Sequence, residues 1–325
     1  MDADILIDRR RMRRKLGWWR AIAFIALIAV VVTLGAWAGG FGDLGNKRAA
    51  HVARIEISGF ITGDDRTVEL IRDIAKNDHV KAVVLKVDSP GGATTGGETL
   101  YEELRKLAGK KPMVTTIDGL GASAGYMVAV ASDHVVARRS AITGSIGVIM
   151  QWGNVSKLLE TVGVKYEEVK SSPLKAEPQP FKPLSPEARA VLEGMIKDSY
   201  DWFVGIVAER RKLDLETARK LADGRVYTGN QALAAKLIDA IGGQDVAIAW
   251  LETERGIAKG LPVVDWKPRP VSSEDWGLAR SFANEIVRSI GLEGFVPERP
   301  RLDGLISVWH VDTLGNNKNT QGVGQ

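Results

Sequence analysis

A turn of small residues, numbers 119–125, contains the first group that could carry chemistry, the hydroxyl of Ser123. The turn follows a strand-like stretch (113–117) and leads into an apolar helix that extends to Ala131. A serine at such a junction can project its hydroxyl, and backbone N–H groups at the start of a helix suit an oxyanion. The pattern indicates a nucleophile site. The same small residues could instead serve only the close packing of this helix.

A serine nucleophile needs a base, and the sequence favours a lysine for that role. His134 is the only histidine nearby, and its place in a strand-like run gives poor support to a Ser-His-Asp triad. A lysine base must be neutral, so desolvation has to lower its pKa from about 10.4 to about 7–8, at a cost of about 4 kcal/mol. Spacing does not choose among four candidates: Lys165, Lys170, Lys175 and Lys182.

The sequence has few features that suit a metal or a nucleotide. It has no cysteine, and its four histidines form no HExxH motif. It has no GxxxxGK[ST] loop, and the glycines of residues 119–125 miss the GxGxxG spacing by one residue. We therefore expect no metal and no cofactor.

The net charge of +4 comes from the first 20 of the 325 residues. That segment has seven basic and three acidic side chains, whereas the rest of the chain has 37 of each. A neutral body has no general attraction for phosphate backbones, so we expect no nucleic-acid partner.

Residues 21–38 form an apolar stretch in which Thr33 is the only clearly polar residue. A helix of this length spans about 27 Å, close to the hydrocarbon core of a bilayer. Tryptophans flank the stretch, and the basic cluster before it predicts a cytoplasmic N-terminus. We expect a single-pass signal-anchor in a bacterial inner membrane, with the folded part periplasmic or extracytoplasmic. The alternatives are a cleaved signal peptide, because residues 36–38 fit the A-x-A pattern, and a buried core helix.

The chain divides into six predicted segments: 1–20 as a basic cytoplasmic tail, 21–38 as the anchor, 39–50 as a linker, 51–260 as the main folded domain, 261–312 as a C-terminal extension and 313–325 as a disordered tail. Strand-like stretches alternate with helical patterns from residue 52 onward, which indicates an α/β fold. Predicted strands cover residues 52–57, 81–87, 113–117, 134–137 and 146–150. From Ser185 the pattern is mostly helical. Its predicted core stripe consists of Val191, Met195, Tyr200, Phe203 and Val207.

Four motifs together resemble the signal peptide peptidase A (SppA) family. They are Asp-Ser-Pro-Gly-Gly at residues 88–92, Gly-Ala-Ser-Ala-Gly-Tyr at 121–126, Thr-Gly-Ser-Ile-Gly-Val at 143–148 and Gly-Arg-Val-Tyr-Thr-Gly at 224–229. The stretch at 237–243 extends the match, which covers about residues 50–255. Each motif alone is weak, whereas the ordered set is specific.

The resemblance implies a role for five residues. Ser123 matches the nucleophile, Lys175 the general base, and Ser145 a hydroxyl that orients this lysine. Gly92 and the backbone N–H of Ala124 match the oxyanion hole, with Gly91 as the alternative. The chain departs from the family pattern in two places: Ala124-Gly125 replaces the usual Gly-Gly, and Ser172-Pro173 stands where glycine is common, which keeps Lys170 as an alternative base.

The resemblance also implies a ClpP/crotonase-like fold of repeated β-β-α units with a helical C-terminal part, and a homo-oligomeric ring in which neighbouring copies could share the Ser-Lys dyad. The expected activity is that of a membrane-anchored serine endopeptidase that hydrolyses remnant signal peptides or other short hydrophobic peptides. Two alternatives are a non-enzymatic membrane-bound ring scaffold and a crotonase-type enzyme acting on acyl thioesters.

Overall fold

The computed structural model describes residues 18–20, 22–27, 30, 47–268 and 306–308. The centre of the described part is a nine-stranded sheet. Its strands are β1 (His51–Ile61), β2 (Val80–Ala93), β3 (Met113–Ala122), β4 (His134–Ala137), β5 (Ile142–Gly144), β6 (Val226–Thr228), β7 (Ala240–Ile241), β8 (Val263–Trp266) and β9 (Ile306–Val308). The helices are α1 (Asp65–Lys76), α2 (Thr94–Ala108), α3 (Ala124–Ala129), α4 (Ser156–Thr161), α5 (Pro186–Arg211), α6 (Leu215–Leu221), α7 (Gly229–Ala234) and α8 (Gln244–Glu254).

The sheet is mostly parallel, with the order β6-β5-β3-β2-β1-β8 and with β4 and β7 beside β3. Only the β5–β6 and β2–β9 pairings among the described strands are antiparallel. Parallel strands need crossovers, and α1 and α2 supply those from β1 to β2 and from β2 to β3. The predicted mixed α/β architecture is confirmed.

Both faces of the central strands are covered, which explains why β2 has a nearly continuous apolar run. On one face Val83 and Leu85 belong to the main core together with residues of α1, α2 and α3. On the other face Val84 packs in a smaller core with Ala247 and Leu251 of α8. Packing on both faces of the sheet therefore fixes the position of the carboxyl end of β2 relative to that of β3.

Most of the predicted elements are present. The strands at 52–57, 81–87, 113–117 and 134–137 lie inside or coincide with β1 to β4. Ser185 caps α5 by accepting a hydrogen bond from the N–H of Ala188. The predicted strand at 146–150 is wrong, because the strand lies earlier, at β5, where it pairs with β3 and β6.

Most of the predicted anchor, 21–38, lies outside the described residues, and the parts of it that are described are helical. In the portion of the chain that the structure describes, no helix combines the length and the apolar character needed to cross a bilayer. The predicted tail at 313–325 also lies outside the described residues. Residues 263–266 of the predicted C-terminal extension form β8, which pairs with β1.

Candidate active site

Ser123 connects the end of β3 to the start of α3 in a backbone conformation that is rare for a residue with a side chain. Its φ is 56° and its ψ is −121°. The residue is buried, with 1% of its surface exposed. Strained backbone of this kind costs about 1–3 kcal/mol and persists where the surrounding structure enforces it. Such a turn points to a functional position.

The small residues around Ser123 are required by close packing. A Cβ atom added at Gly125 would lie 2.8 Å from the carbonyl oxygen of Ser89, and one added at Gly97 of α2 would lie 3.1 Å from the Cβ of Ala124. These distances support the interpretation that the small residues serve the close packing of this helix. That role is compatible with a nucleophile, because the same contacts hold the strained Ser123 in place.

Gly92 lies near the end of β2, where a larger residue would not fit. A Cβ atom there would lie 2.1 Å from the carbonyl oxygen of Ile61. The neighbouring Gly91 has a φ of 119°, and its N–H donates a hydrogen bond of 3.1 Å to the Ser89 hydroxyl oxygen. The Gly91 N–H is engaged in this way, which leaves Gly92, paired with Ile61 of β1 and Ser307 of β9, as the other candidate oxyanion donor.

The second candidate donor, the N–H of Ala124, belongs to the first residue of α3. The first N–H groups of a helix have no acceptor within the helix. The β2 and β3 segments meet here, since Ser89 is paired with Gly121. The strand register thus brings the ends of both strands to the same edge of the sheet as Ser123.

Ser145 lies next to Ser123 through the pairing of β3 with β5, in which Ala122 is opposite Gly144. The N–H of Ser123 donates a hydrogen bond of 2.8 Å to the carbonyl oxygen of Gly144. Ser145 itself is buried, has a φ of 50°, and donates its N–H to the carbonyl oxygen of Arg225 at 2.8 Å. The structure therefore brings these two predicted serines together.

Lys175 lies in an exposed loop, away from the burial of Ser123. Its N–H donates a hydrogen bond of 3.1 Å to the carbonyl oxygen of Ser172. Ser123 and Ser145, by contrast, are both buried. Among the described residues no hydrogen bond joins the Lys175 amine to Ser145. The exposure of Lys175 sets it apart from the two serines.

The other candidate lysines are less suited to act as a base. Lys170 and Lys182 each contact two carboxylates, those of Glu168 and Glu177, at distances of 2.5 to 3.1 Å. Hydrogen bonds to these carboxylates raise the pKa of Lys182 above its ordinary value. A base must lose its proton, so carboxylate partners work against that role. Lys165 is exposed, and no contact of the described residues favours it.

His134 belongs to a packing cluster apart from this site. Its ring stacks on Trp250 with centroids 4.6 Å apart, and its Nδ1 lies 3.8 Å from a carboxylate oxygen of Asp239. Burial lowers the pKa of His134. Over the described residues no group of three or more potential metal ligands is present.

The sequence model of peptidase family S49 matches residues 105–258, a range that includes both predicted members of the dyad. A putative protease of Synechocystis is 36% identical over 208 residues, which cover 63% of this chain and 75% of that protein. The chain belongs to peptidase family S49. The resemblance to SppA is thereby confirmed.

Two further relatives of this S49 chain carry more specific names. A putative signal peptide peptidase SppA of Enterococcus faecium is 34% identical over 233 residues, which cover 70% of this chain and 65% of that protein. Protease 4 of Salmonella typhi is 38% identical over 188 residues, which cover 58% of this chain but only 30% of that protein. The S49 chain thus corresponds to part of these longer relatives.

Sequence reasoning missed two groups that shape the site of this S49 protein. Ser89 donates its hydroxyl to the carbonyl oxygen of Gly59 at 2.6 Å and accepts from Gly91, which braces the strand that carries Gly92. A serine two residues before a glycine is typical of such a turn, so this brace could have been inferred. The second group is the pair of carboxylates Glu168 and Glu177, which form ion pairs with Lys170 and Lys182. The spacing of these four residues in the sequence is not distinctive, so these ion pairs could not have been inferred.

Proposed function

We propose that this chain is a serine endopeptidase that hydrolyses short hydrophobic peptides, remnant signal peptides among them, through an acyl-enzyme. Ser123 is the nucleophile, Lys175 the general base, Ser145 the hydroxyl that orients the base, and Gly92 and Ala124 the oxyanion donors. The observation that carries the proposal is the strained, buried turn at Ser123, held against both Gly144 and the end of β2.

The proposed reaction has two stages. The neutral amine of Lys175 takes the hydroxyl proton of Ser123 as its oxygen attacks the peptide carbonyl. The N–H groups of Gly92 and Ala124 stabilise the oxyanion; loss of one such donor typically costs about 10²- to 10³-fold in rate. The lysine then gives its proton to the leaving amine, which departs. In the second stage the same lysine takes a proton from water as the water oxygen attacks the ester carbonyl. The bond between that carbon and the Ser123 oxygen then breaks, the lysine returns the proton to the Ser123 oxygen, and the peptide acid leaves.

The exposure of Lys175 favours a dyad shared between copies of the chain in a homo-oligomeric ring. Residues 149–183 form an arm with an unusual number of exposed apolar side chains. They include Ile149, Trp152, Leu158, Val162, Val164 and Phe181. Exposed apolar clusters of this kind mark protein contacts. Burying such an arm against a neighbour would also desolvate Lys175, as the pKa of a lysine base requires.

The proposal also includes the fold family and the cellular location of the chain. The parallel sheet with crossover helices suits a ClpP/crotonase-like fold. The apolar stretch 21–38 after a basic tail suits a signal-anchor in a bacterial inner membrane, with the N-terminus cytoplasmic and the catalytic domain periplasmic or extracytoplasmic. A lipid bilayer is then the second partner, after the peptide substrate.

A non-enzymatic ring scaffold is the second candidate, favoured by one observation, the exposure of Lys175 in contrast to the burial of Ser123. The test is hydrolysis of a fluorogenic apolar peptide by the full chain in detergent, with Ser123→Ala and Lys175→Ala beside the unmodified protein. Ser140→Ala and Lys259→Ala change exposed residues of the same types and serve as controls. We expect both site variants to be inactive and both controls to be active. Unchanged activity in either site variant would contradict the proposed dyad, and oligomers with no activity in any form would favour the scaffold.

A further inference from the structure

Four charged side chains close the base of the loop that carries Lys175. The Lys170 amine lies 2.8 Å from Glu177 Oε1 and 3.1 Å from Glu168 Oε1. The Lys182 amine lies 2.7 Å from Glu177 Oε1 and 2.5 Å from Glu168 Oε1. Each amine therefore bridges both carboxylates. We call Glu168, Lys170, Glu177 and Lys182 the loop clamp.

The pair of Lys170 and Glu177 is the most shielded part of the loop clamp. The side chain of Glu177 is 6% exposed and that of Lys170 is 13% exposed, whereas Glu168 and Lys182 are 23% and 33% exposed. Hydrogen bonds from Lys182, Lys170 and other donors hold the pKa of Glu168 at about 2. Its second oxygen accepts from the amide of Gln179 at 2.8 Å. Removing one member of a shielded pair leaves its partner unpaired, which costs more than losing a surface pair.

The two carboxylate oxygens of Glu177 differ in their hydrogen-bond partners. Its Oε1 accepts from both lysines, whereas its Oε2 is buried with no hydrogen-bond donor among the described residues. Buried acceptors without a donor are uncommon, because they lose hydrogen bonds to water and gain none in return. The chain bears this cost at a position two residues from Lys175. A side chain used only to pair surface charge would not need such burial.

The clamp fixes the two ends of a short loop and leaves Lys175 between them. Lys170 and Glu177 are the end residues, and the ion pair joins them across the loop. Inside the loop the N–H of Lys175 bonds to Ser172, and Ala176 has a φ of 63°. No carboxylate of the described residues pairs with the Lys175 amine, so the clamp holds the loop without neutralising the proposed base.

A general base works only when its amine is held near the productive position, within roughly 0.5 Å. We propose that Lys170 and Glu177 are positioning residues, which act through the ion pair between them to hold the loop of Lys175 in its catalytic geometry. This inference rests on the proposed function.

The test is a double-mutant cycle in the full-length protein, made of Lys170→Met, Glu177→Gln and the double variant. The double variant removes one positive and one negative charge, so its net charge equals that of the unmodified chain. We expect kcat to fall roughly 10- to 100-fold in each single variant and about equally in the double variant. KM should change much less, because the loop holds the base rather than the peptide.

The unfolding midpoint and the separate effects on kcat and KM distinguish positioning from a general loss of stability. Positioning predicts a reduced kcat with a nearly unchanged KM and a native unfolding midpoint in the double variant. If this variant unfolds, as judged by circular dichroism, Lys170→Arg and Glu177→Asp keep the charges and decide the question: reduced kcat with native unfolding midpoints supports positioning.

The matched control is Lys220→Met with Glu216→Gln, an exposed pair on α6 with a separation of 2.7 Å. It should retain full kcat. Wild-type kcat in the folded clamp variants would overturn the inference while peptide hydrolysis by the unmodified protein stands. If the unmodified protein neither hydrolyses peptides nor reacts at Ser123 with a fluorophosphonate probe, the proposed function fails, and the positioning inference fails with it.

Discussion

The carbonyl oxygen of Gly144 accepts a hydrogen bond of 2.8 Å from the N–H of Ser123. This bond ties the proposed nucleophile to the residue before Ser145. Gly144 has a φ of 81°, and a Cβ atom there would lie 2.6 Å from the ring of Tyr227. The geometry of the two serines thus depends on a residue that has no side chain.

Replacement of Gly144 by alanine should damage both stability and activity. The positive φ and the collision with Tyr227 together should lower the free energy of unfolding by about 1–3 kcal/mol, and displacement of Ser123 should reduce kcat. Urea unfolding and peptide hydrolysis would measure the two effects. Gly194→Ala in α5 is the control, because a Cβ atom there meets open space. Equal behaviour of the two variants would contradict the proposed coupling.

Ser89→Ala should weaken the brace behind Gly92. The Gly59 carbonyl and the Gly91 N–H would each lose a partner. We expect a loss of about 1–3 kcal/mol in unfolding free energy, together with a reduced kcat, since the freed strand end carries an oxyanion donor. Ser140→Ala, at an exposed serine, is the control for both measurements. Loss of stability with an unchanged kcat would separate the brace from catalysis.

Glu103 should make the folded chain sensitive to acid. Its carboxylate accepts hydrogen bonds from Arg72 and Lys106 at 2.9 to 3.0 Å, and these hold its pKa at about 2 in the folded state. A lowered folded-state pKa contributes stability above the unfolded value of about 4.3, and that contribution is lost as pH falls toward about 2.

The Glu103→Gln variant should therefore show a smaller loss of unfolding midpoint than the unmodified chain between pH 4.5 and pH 2. Differential scanning fluorimetry across this range would measure it. Glu216→Gln serves as the comparison, because Glu216 is exposed. Parallel curves for Glu103→Gln and the unmodified protein would show that these hydrogen bonds do not contribute.

A shared dyad predicts complementation between inactive variants. Ser123→Ala and Lys175→Ala chains are each expected to be inactive alone. If the serine of one copy works with the lysine of its neighbour, mixed oligomers should regain part of the peptidase activity. Two affinity tags would verify that both chains are present. The absence of recovery in verified mixed oligomers would require both residues to act from the same copy.

Hydrophobic periodicity and the order of the motifs were sufficient to predict much of the fold. The apolar run of β2 is visible in the sequence because both of its faces are buried. The position of β5 was missed, since pairing with β3 and β6 decides it, and both partners are distant in the chain. Val191 and Met195 fit a helical stripe but are exposed, because the first half of α5 is mostly uncovered in this copy of the chain.

The candidate active site could also be predicted only in part from the sequence. The turn at Ser123 follows from small residues at a strand end, and its strain follows from packing that no local pattern contains. The spacing of residues in the sequence could not identify which of the four candidate lysines would act as the base. The choice rests on which amines have carboxylate partners, and Glu168 and Glu177 contact Lys182 over separations of 14 and 5 residues.

The antiparallel strand β9 has a consequence for how a peptide would reach this site. It pairs Val308, Ser307 and Ile306 with Gly91, Gly92 and Ala93, along the stretch that includes the proposed oxyanion donor. An extended peptide that adds a strand to this edge would compete for the same main-chain groups. Its apparent affinity would then be its intrinsic affinity multiplied by the fraction of molecules in which residues 306–308 have moved away. Occupancy of this sheet edge by the chain itself would then set a threshold for any peptide that binds by adding a strand there.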